Sequence, residues 1–155
     1  KDVTNNANSR GAMLLRLGQI YLDYAEALNE YDPGNSAIVT YLNLIRTRAG
    51  IPAYGAGAGQ VPVPDSQLAM RAAIWKERQV ELAFESVRYF DTHRWKISMT
   101  TDNGPVTGMN MYANGADFYK LTTVASRVFR QRDYLWPIPN DEILKNTLLV
   151  QNPGW

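Results

Sequence analysis

Leu14, Leu17, Tyr21, Tyr24 and Leu28 alternate spacings of three and four. A helix of ~3.6 residues per turn gathers such a series on one face, so the chain opens with an amphipathic helix. Glu26, Asn29 and Glu30 lie off that seam. Asp32-Pro33-Gly34 then supplies turn chemistry, because Pro fixes φ and Gly tolerates positive φ. Asn35 or Ser36 caps a second helix by accepting a backbone N–H. Its apolar face is Ile38, Tyr41, Leu42, Ile45 and Ala49. Arg46 and Arg48 suit the negative end of that helix, and Gly50 and Pro52 stop it. Two helices joined by a short turn fold back as an antiparallel αα-hairpin. Residues 1–9, polar and Asn-rich, read as an ordered loop or frayed arm.

Residues 53–64 are rich in Gly, Ala and Pro and read as a flexible connector. Asp65 or Ser66 caps a long helix that runs to Ser86 and continues, with a kink, through Tyr89-Phe90 to Trp95. Leu68, Ala72, Trp75, Leu82 and Ala83 sit on or beside its apolar side. Residues 100–117 carry Gly104, Pro105, Gly108, Asn110, Asn114 and Gly115 and form a second loop region. The alternating and β-branched residues of 118–129 suit a short β-hairpin. Trp136-Pro137-Ile138-Pro139 is extended, because each Pro biases its predecessor away from helix. Asn140 then caps a short helix over 141–145, and the chain ends in an irregular Gln-Asn-Pro-Gly-Trp. The expected fold class is mainly α, with long irregular loops and one short β-hairpin.

Composition narrows the function classes. A net charge of +1 over 155 residues offers no basic stripe for nucleic acid. Zero cysteines exclude a disulfide scaffold, thiolate metal sites and a Cys nucleophile. No apolar run approaches the ~18–20 residues of a membrane helix. The first residue is Lys1 rather than Met, which reads as a processed or trimmed chain. Aromatic residues make up 11%, including nine Tyr and four Trp.

Leu17-Gly18-Gln19-Ile20-Tyr21 matches the L-G-x-x-Y core of a tetratricopeptide helix, in which the small Gly lets a partner helix approach. Ala37 and Tyr41 stand where the second helix of that repeat places a small residue and an aromatic, though the intervening turn is longer by about seven residues. One such repeat does not bury its own core, since ~3 stacked repeats are needed. Further blocks extend the pattern. Arg16–Leu22 leads to Tyr24-Ala25-Glu26-Ala27-Leu28-Asn29, followed by Leu42-Asn43 and Ile45-Arg46-Thr47-Arg48-Ala49-Gly50. Glu77-Arg78-Gln79-Val80-Glu81-Leu82-Ala83-Phe84-Glu85 precedes Arg88-Tyr89-Phe90-Asp91 and Arg94-Trp95. Tyr134-Leu135-Trp136-Pro137-Ile138-Pro139, Glu142-Ile143, Asn146 and Gln151-Asn152-Pro153-Gly154-Trp155 close the series.

In order and spacing these blocks resemble the C-terminal part of the SusD/RagB family, over most of the chain except the loops 53–64 and 100–126. The resemblance implies a scaffold of tetratricopeptide-like α-α hairpins, an α-α superhelix, whose irregular loops carry the ligand site. It implies a non-catalytic lipoprotein on the extracellular face of the outer membrane. Such a protein binds glycans or other nutrients and sits as a lid on a TonB-dependent, SusC-like transporter. Family members are several hundred residues long and are acylated on an N-terminal Cys that this chain lacks. Residues 1–155 therefore read as a single segment, the C-terminal part of a larger protein. The lipid anchor, and most of the glycan site, are expected outside it.

Glu77, Glu81 and Glu85 recur every four residues and so share one helix face. Neighbouring carboxylates ~5–5.5 Å apart serve as acid and nucleophile in retaining glycosidases. An ion-pair framework is the stronger reading. Arg16, Arg78, Arg88 and Arg94 stand available, and Glu85/Arg88 and Asp91/Arg94 have i,i+3 spacing. His93 is the only histidine, so a catalytic zinc or di-iron site has no second imidazole. No G-x-S-x-G elbow occurs, and Gly55, Gly57 and Gly59 lack the strand and follow-through of a phosphate cradle. No cofactor and no catalytic residue are expected.

Tyr21, Tyr24, Tyr41, Trp75, Phe84 and Trp95 fall at helical spacing and read as core. Tyr54, Tyr112, Phe118 and Tyr119 lie in or beside the loops. Aromatic faces suit the C–H-rich faces of sugars while side-chain amides bond hydroxyls. Tyr112 with Asn110 and Asn114, and Tyr119, are therefore the candidate glycan contacts. The competing reading is a loop that packs or meets the transporter. Tyr134, Trp136 and Trp155 read as anchors that stitch the tail onto the helices. Two rival functions stand beside nutrient binding: a tetratricopeptide-type module whose groove takes a peptide, and a carbohydrate-active enzyme using the Glu stripe.

Overall fold

A computed structural model describes residues 15–155. The 1–9 segment and Leu14 lie outside the described residues. The chain divides into two units, with the boundary between Arg88 and Tyr89.

The first unit is built on α1 (Leu17–Tyr31), α2 (Ser36–Arg48) and α3 (Gln67–Glu81). Asn35 caps α2 by accepting from Ala37 N at 3.0 Å, and Ser66 caps α3 by accepting from Ala69 N at 3.2 Å. The core is Leu22, Ala25, Ile38, Leu42, Ile45, Met70, Ile74 and Leu82, flanked by Tyr21, Leu28 and Tyr41. The buried line of α1 is Gly18, Leu22, Ala25, Glu26 and Asn29, one position round from the expected seam. Leu17 and Tyr24 are exposed. The displacement follows from packing, since α1 meets both α2 and α3 and its tyrosines fall at the α2 edge. Tyr41 there touches the Tyr21 ring at 5.2 Å and the Tyr24 ring at 4.9 Å. Gly18 also has a different reason from the expected one. A Cβ there would stand 2.7 Å from Arg16 Nη1 and 3.2 Å from Glu81 Oε1, so the glycine makes room for an ion pair.

The loop 53–64 is tied down rather than free. Asn43 donates Nδ2 to the Tyr54 carbonyl at 2.9 Å and accepts from Tyr54 N at 2.7 Å. Tyr54 and Val61 then form an isolated parallel bridge. Helix α3 ends at Glu81, not Ser86. Phe84 and Ser86 take positive φ values of 65° and 61°, which breaks the helix where neither Gly nor Pro marks a stop. Phe84 is fully exposed and so is not core. Leu68, Ala72 and Ala83 also face solvent, while Met70, Ile74, Glu77 and Arg78 are buried.

Helix α4 (Val87–Arg94) crosses the boundary, and the second unit continues through α5 (Ser98–Thr101), β1 (Gly104–Met109), β2 (Leu121–Arg127) and α6 (Asn140–Lys145). The hairpin pairs Gly104 with Arg127 and Met109 with Leu121, with an irregularity between Val106 and Thr107. Its first strand thus lies inside the stretch expected as loop. There the Gly and Pro residues mask the Val, Thr and Met that pair across it, and Gly108 sits where a Cβ would be 3.2 Å from Val124. Asn140 is the first residue of α6; Pro139 holds the cap position. Among the described residues no strand lies beside the extended 136–139 segment. Gln151 replaces one, accepting from Ile138 N at 2.8 Å and donating to Ile138 O at 2.9 Å. The fold is mainly α, a tetratricopeptide-like helical hairpin with a third helix and a loop-rich second unit.

Candidate functional site

Charged residues cover the side of the first unit where α1, α2 and α3 meet. Arg16 aims its guanidinium past the start of α1. Its Nε lies 2.9 Å from each Glu85 oxygen, and its Nη2 reaches Glu85 Oε1 at 2.7 Å and the Glu81 carbonyl at 2.5 Å. Its Nη1 pairs with Glu81 Oε1, which also receives Arg48. Arg46 pairs with Glu77. Arg78, buried on α3, pairs with Asp23 and stands 3.6 Å from Glu26. Arg71 makes two bonds to Glu30, at 2.7 and 2.5 Å. Glu85 lies in the turn beyond α3, not on its face. In the second unit, Asp91 and Arg94 pair at 2.9 Å. Arg88 lies on α4.

The electrostatics follow these contacts. Burial pushes the Glu81 carboxyl up, but the hydrogen bonds from Arg16 and Arg48 outweigh it and hold the group below the usual carboxylate range. The bond from Arg71 holds Glu30 low in the same way. Glu85 raises Arg16 above its ordinary value, against the opposing effect of burial. Burial, then the charge of Glu77, pushes the Tyr54 phenol up. A glycosidase acid needs a carboxyl raised toward neutrality. Glu81 is moved the other way, and the pairs of Arg16 with Glu81 and Glu85, Arg46 with Glu77 and Arg48 with Glu81 form an ionic brace. Among the described residues no group of three His, Cys, Asp or Glu is placed to hold a metal ion. No helix among them is long and apolar enough to cross a membrane.

The β1–β2 connection presents the candidate glycan contacts. Asn110 N donates to the Phe118 carbonyl at 3.0 Å, and Ala113 N to the Asn110 carbonyl at 3.1 Å. These bonds close a turn that carries Tyr112 at its crest, 101% exposed. Asn114 stands at the cap of a 3-10 turn, Gly115–Tyr119, without using its side chain as the cap. Tyr119 is exposed beside Phe118, their rings edge to face at 5.3 Å. Asn110 and Tyr112 therefore lie on one turn, Asn114 stands before the 3-10 turn that follows it, and Tyr119 ends that 3-10 turn.

The tail aromatics separate into two roles. Tyr134 anchors, packing on Phe129 at 4.8 Å and His93 at 5.7 Å and accepting on its hydroxyl oxygen from Met99 N at 3.2 Å. His93 packs against the rings of Tyr89, Phe129 and Tyr134, with Nδ1 2.7 Å from the Tyr89 carbonyl. Trp136 and Trp155, by contrast, line a cavity of about 300 Å³ with Tyr89 and Asp133. Sequence reasoning missed this cleft. A Pro-flanked Trp reads as an anchor, and nothing local places Tyr89 beside it.

The SusD family model matches residues 1–155. The SusD-like protein P2 of Formosa agariphila is 34% identical over 149 residues, covering 91% of this chain and 25% of that protein. A SusD-like protein of Bacteroides fragilis, solved as a crystal structure, is 32% identical with a TM-score of 0.76, over 93% of this chain and 26% of that one. A SusD homolog of Bacteroides thetaiotaomicron is 28% identical with a TM-score of 0.67, over 92% of this chain and 26% of its own. The chain thus spans about a quarter of the length of these relatives.

Proposed function

Because the chain belongs to the SusD/RagB family, we propose that it is the C-terminal part of a cell-surface protein that binds glycans or other nutrients without catalysis. The bound ligand passes to a TonB-dependent, SusC-like transporter in the outer membrane. A lipid anchor outside residues 1–155 holds the whole protein on the extracellular face. Members of this family are generally binding proteins rather than enzymes. The helices supply a rigid frame, braced by the Arg–Glu pairs, and the hairpin connection supplies the contact surface.

One observation carries the reading: a fully exposed Tyr112 on a turn flanked by Asn110 and Asn114. A ring with both faces wet suits the C–H face of a sugar, and the two carboxamides offer donors and acceptors for hydroxyls. Tyr119 extends the apolar surface. The enzyme alternative gains nothing from Glu81, whose carboxylate is engaged by two guanidiniums.

A glycan array probed with the intact protein and with its Tyr112→Ala variant tests this. Retention of one or more glycans, weakened in the variant, is the expected result. An array blank for both proteins would refute glycan binding, and equal retention would remove Tyr112 from the site.

A further inference from the structure

Two Asn-Gly pairs occur in the chain, Asn103-Gly104 and Asn114-Gly115, and the fold holds them differently. An asparagine before glycine is open to attack by its own backbone, because glycine has no Cβ to shield the peptide nitrogen. At the first pair the carboxamide is tied down. Asn103 Oδ1 accepts from Gly104 N at 3.1 Å and from Phe129 N at 3.3 Å. Gly104 also opens β1, where it pairs with Arg127. Turning the Asn103 peptide therefore breaks both bonds and disturbs the end of the ladder. At the second pair the reacting groups are loose. Asn114 precedes the 3-10 turn Gly115–Tyr119 and makes no side-chain cap bond to it. Gly115 is the first residue of that turn, and i to i+3 bonding gives the N–H of a first residue no acceptor inside the turn. It stands at φ 61°, with open space where a Cβ would go. Asn114 is extended, φ −117° and ψ 162°, so a rotation about ψ brings the Gly115 nitrogen onto its side-chain carbon.

We propose that Asn114 is a site of spontaneous backbone-driven modification, converted through a cyclic imide to aspartate and isoaspartate, while the fold protects Asn103. The Gly115 nitrogen gives up its proton and attacks Asn114 Cγ. A C–N bond forms, the side-chain nitrogen leaves as ammonia, and the imide remains. Water then opens the imide, at Cγ to give aspartate or at the main-chain carbonyl to give isoaspartate. The sum is a water consumed and an ammonia released, with nothing oxidised or reduced. The product carries a carboxylate where a neutral amide stood, on the connection that holds Tyr112. Asp117, further along the same connection, is already paired with Lys120 at 2.6 Å. Isoaspartate also routes the backbone through an extra methylene, which disturbs the closure of Asn110 N on the Phe118 carbonyl. This chemistry does not depend on what the connection binds.

Ageing the intact protein in mildly alkaline buffer, with samples taken over time, tests the proposal. Chymotryptic peptides, cut after Tyr112, separate the two pairs for mass spectrometry. Labelling with an isoaspartyl methyltransferase reads the isoaspartate separately. Asn114 is expected to convert about tenfold faster than Asn103, the factor set by two ordinary hydrogen bonds that must open first. The rate should rise with pH, because the attacking nitrogen must lose its proton. In urea the protection of Asn103 disappears, and the two pairs should convert at similar rates. Asn114→Gln, whose longer side chain closes a larger and slower ring, should remove the isoaspartate label from that segment. Conversion of Asn103 as fast as Asn114 in the folded protein would overturn the proposal. So would an Asn114 that stays intact when folded and converts in urea. A difference between the pairs that persists unchanged in urea would overturn it too, since local sequence rather than the fold would then set the rates.

Discussion

Glu81→Ala should weaken the first unit more than any exposed ion-pair deletion. The Glu81 side chain is 11% exposed and serves two guanidiniums, Arg16 and Arg48. Breaking a fully buried pair costs ~3–5 kcal/mol, whereas a surface pair contributes ~0–1 kcal/mol. This site falls between the two. Arg48 is 59% exposed and returns to water when its partner goes. Arg16 is mostly buried, but it keeps both Glu85 oxygens and the Glu81 carbonyl. No charge is stranded, so the loss is about 2 kcal/mol. The control is Glu142→Ala, which removes an exposed pair with Lys145 and should change stability by less than ~0.5 kcal/mol. Urea unfolding of the full-length protein, followed by a probe in this unit, compares the two. Equal midpoints would refute the argument that this lattice braces the helices.

Acid should erode the same lattice. Glu81 and Glu30 have folded pKa values below their unfolded ones. Their contribution is therefore complete above the ordinary carboxylate pKa of ~4.3 and is lost as pH falls through the lower folded values. Urea midpoints measured against pH should drop in that window, less steeply in Glu81→Gln. Asn43→Ala removes both bonds that hold the Tyr54 backbone and should cost about 1–2 kcal/mol, with new protease cleavage near Gly55–Gly59 in limited digests. Phe84→Gly should stabilise by up to ~1 kcal/mol, because a fully exposed side chain at φ 65° contributes strain and no packing. A lower melting temperature in that variant would show that Phe84 makes a contact elsewhere in the full protein.

Local chemistry was readable in the sequence where it acts locally. Asn35 and Ser66 cap their helices because a cap needs only its own turn. The apolar face of α2 was legible because one stripe, Ile38, Leu42 and Ile45, meets one core. Helix α1 touches two neighbours, so its buried line includes Glu26 and Asn29, which a hydrophobic count passes over. The break after Glu81 was invisible because Phe84 and Ser86 adopt a backbone that only glycine adopts readily. Strand β1 was hidden for the opposite reason, since its Gly and Pro advertise a loop while long-range pairing with β2 decides the outcome. The exposed cleft of Tyr89, Trp136 and Trp155 depends on residues far apart in the chain, and no spacing rule reports it.

The central claim is that this family member captures a glycan without altering it. Calorimetric titration of the intact protein with the glycan best retained on the array, followed by a reducing-end assay of the same sample, tests both halves together. The account predicts saturable binding, weakened in Tyr112→Ala, with no new reducing ends. Absence of binding across neutral and acidic glycans would contradict it. So would reducing-end release that disappears in Glu81→Gln.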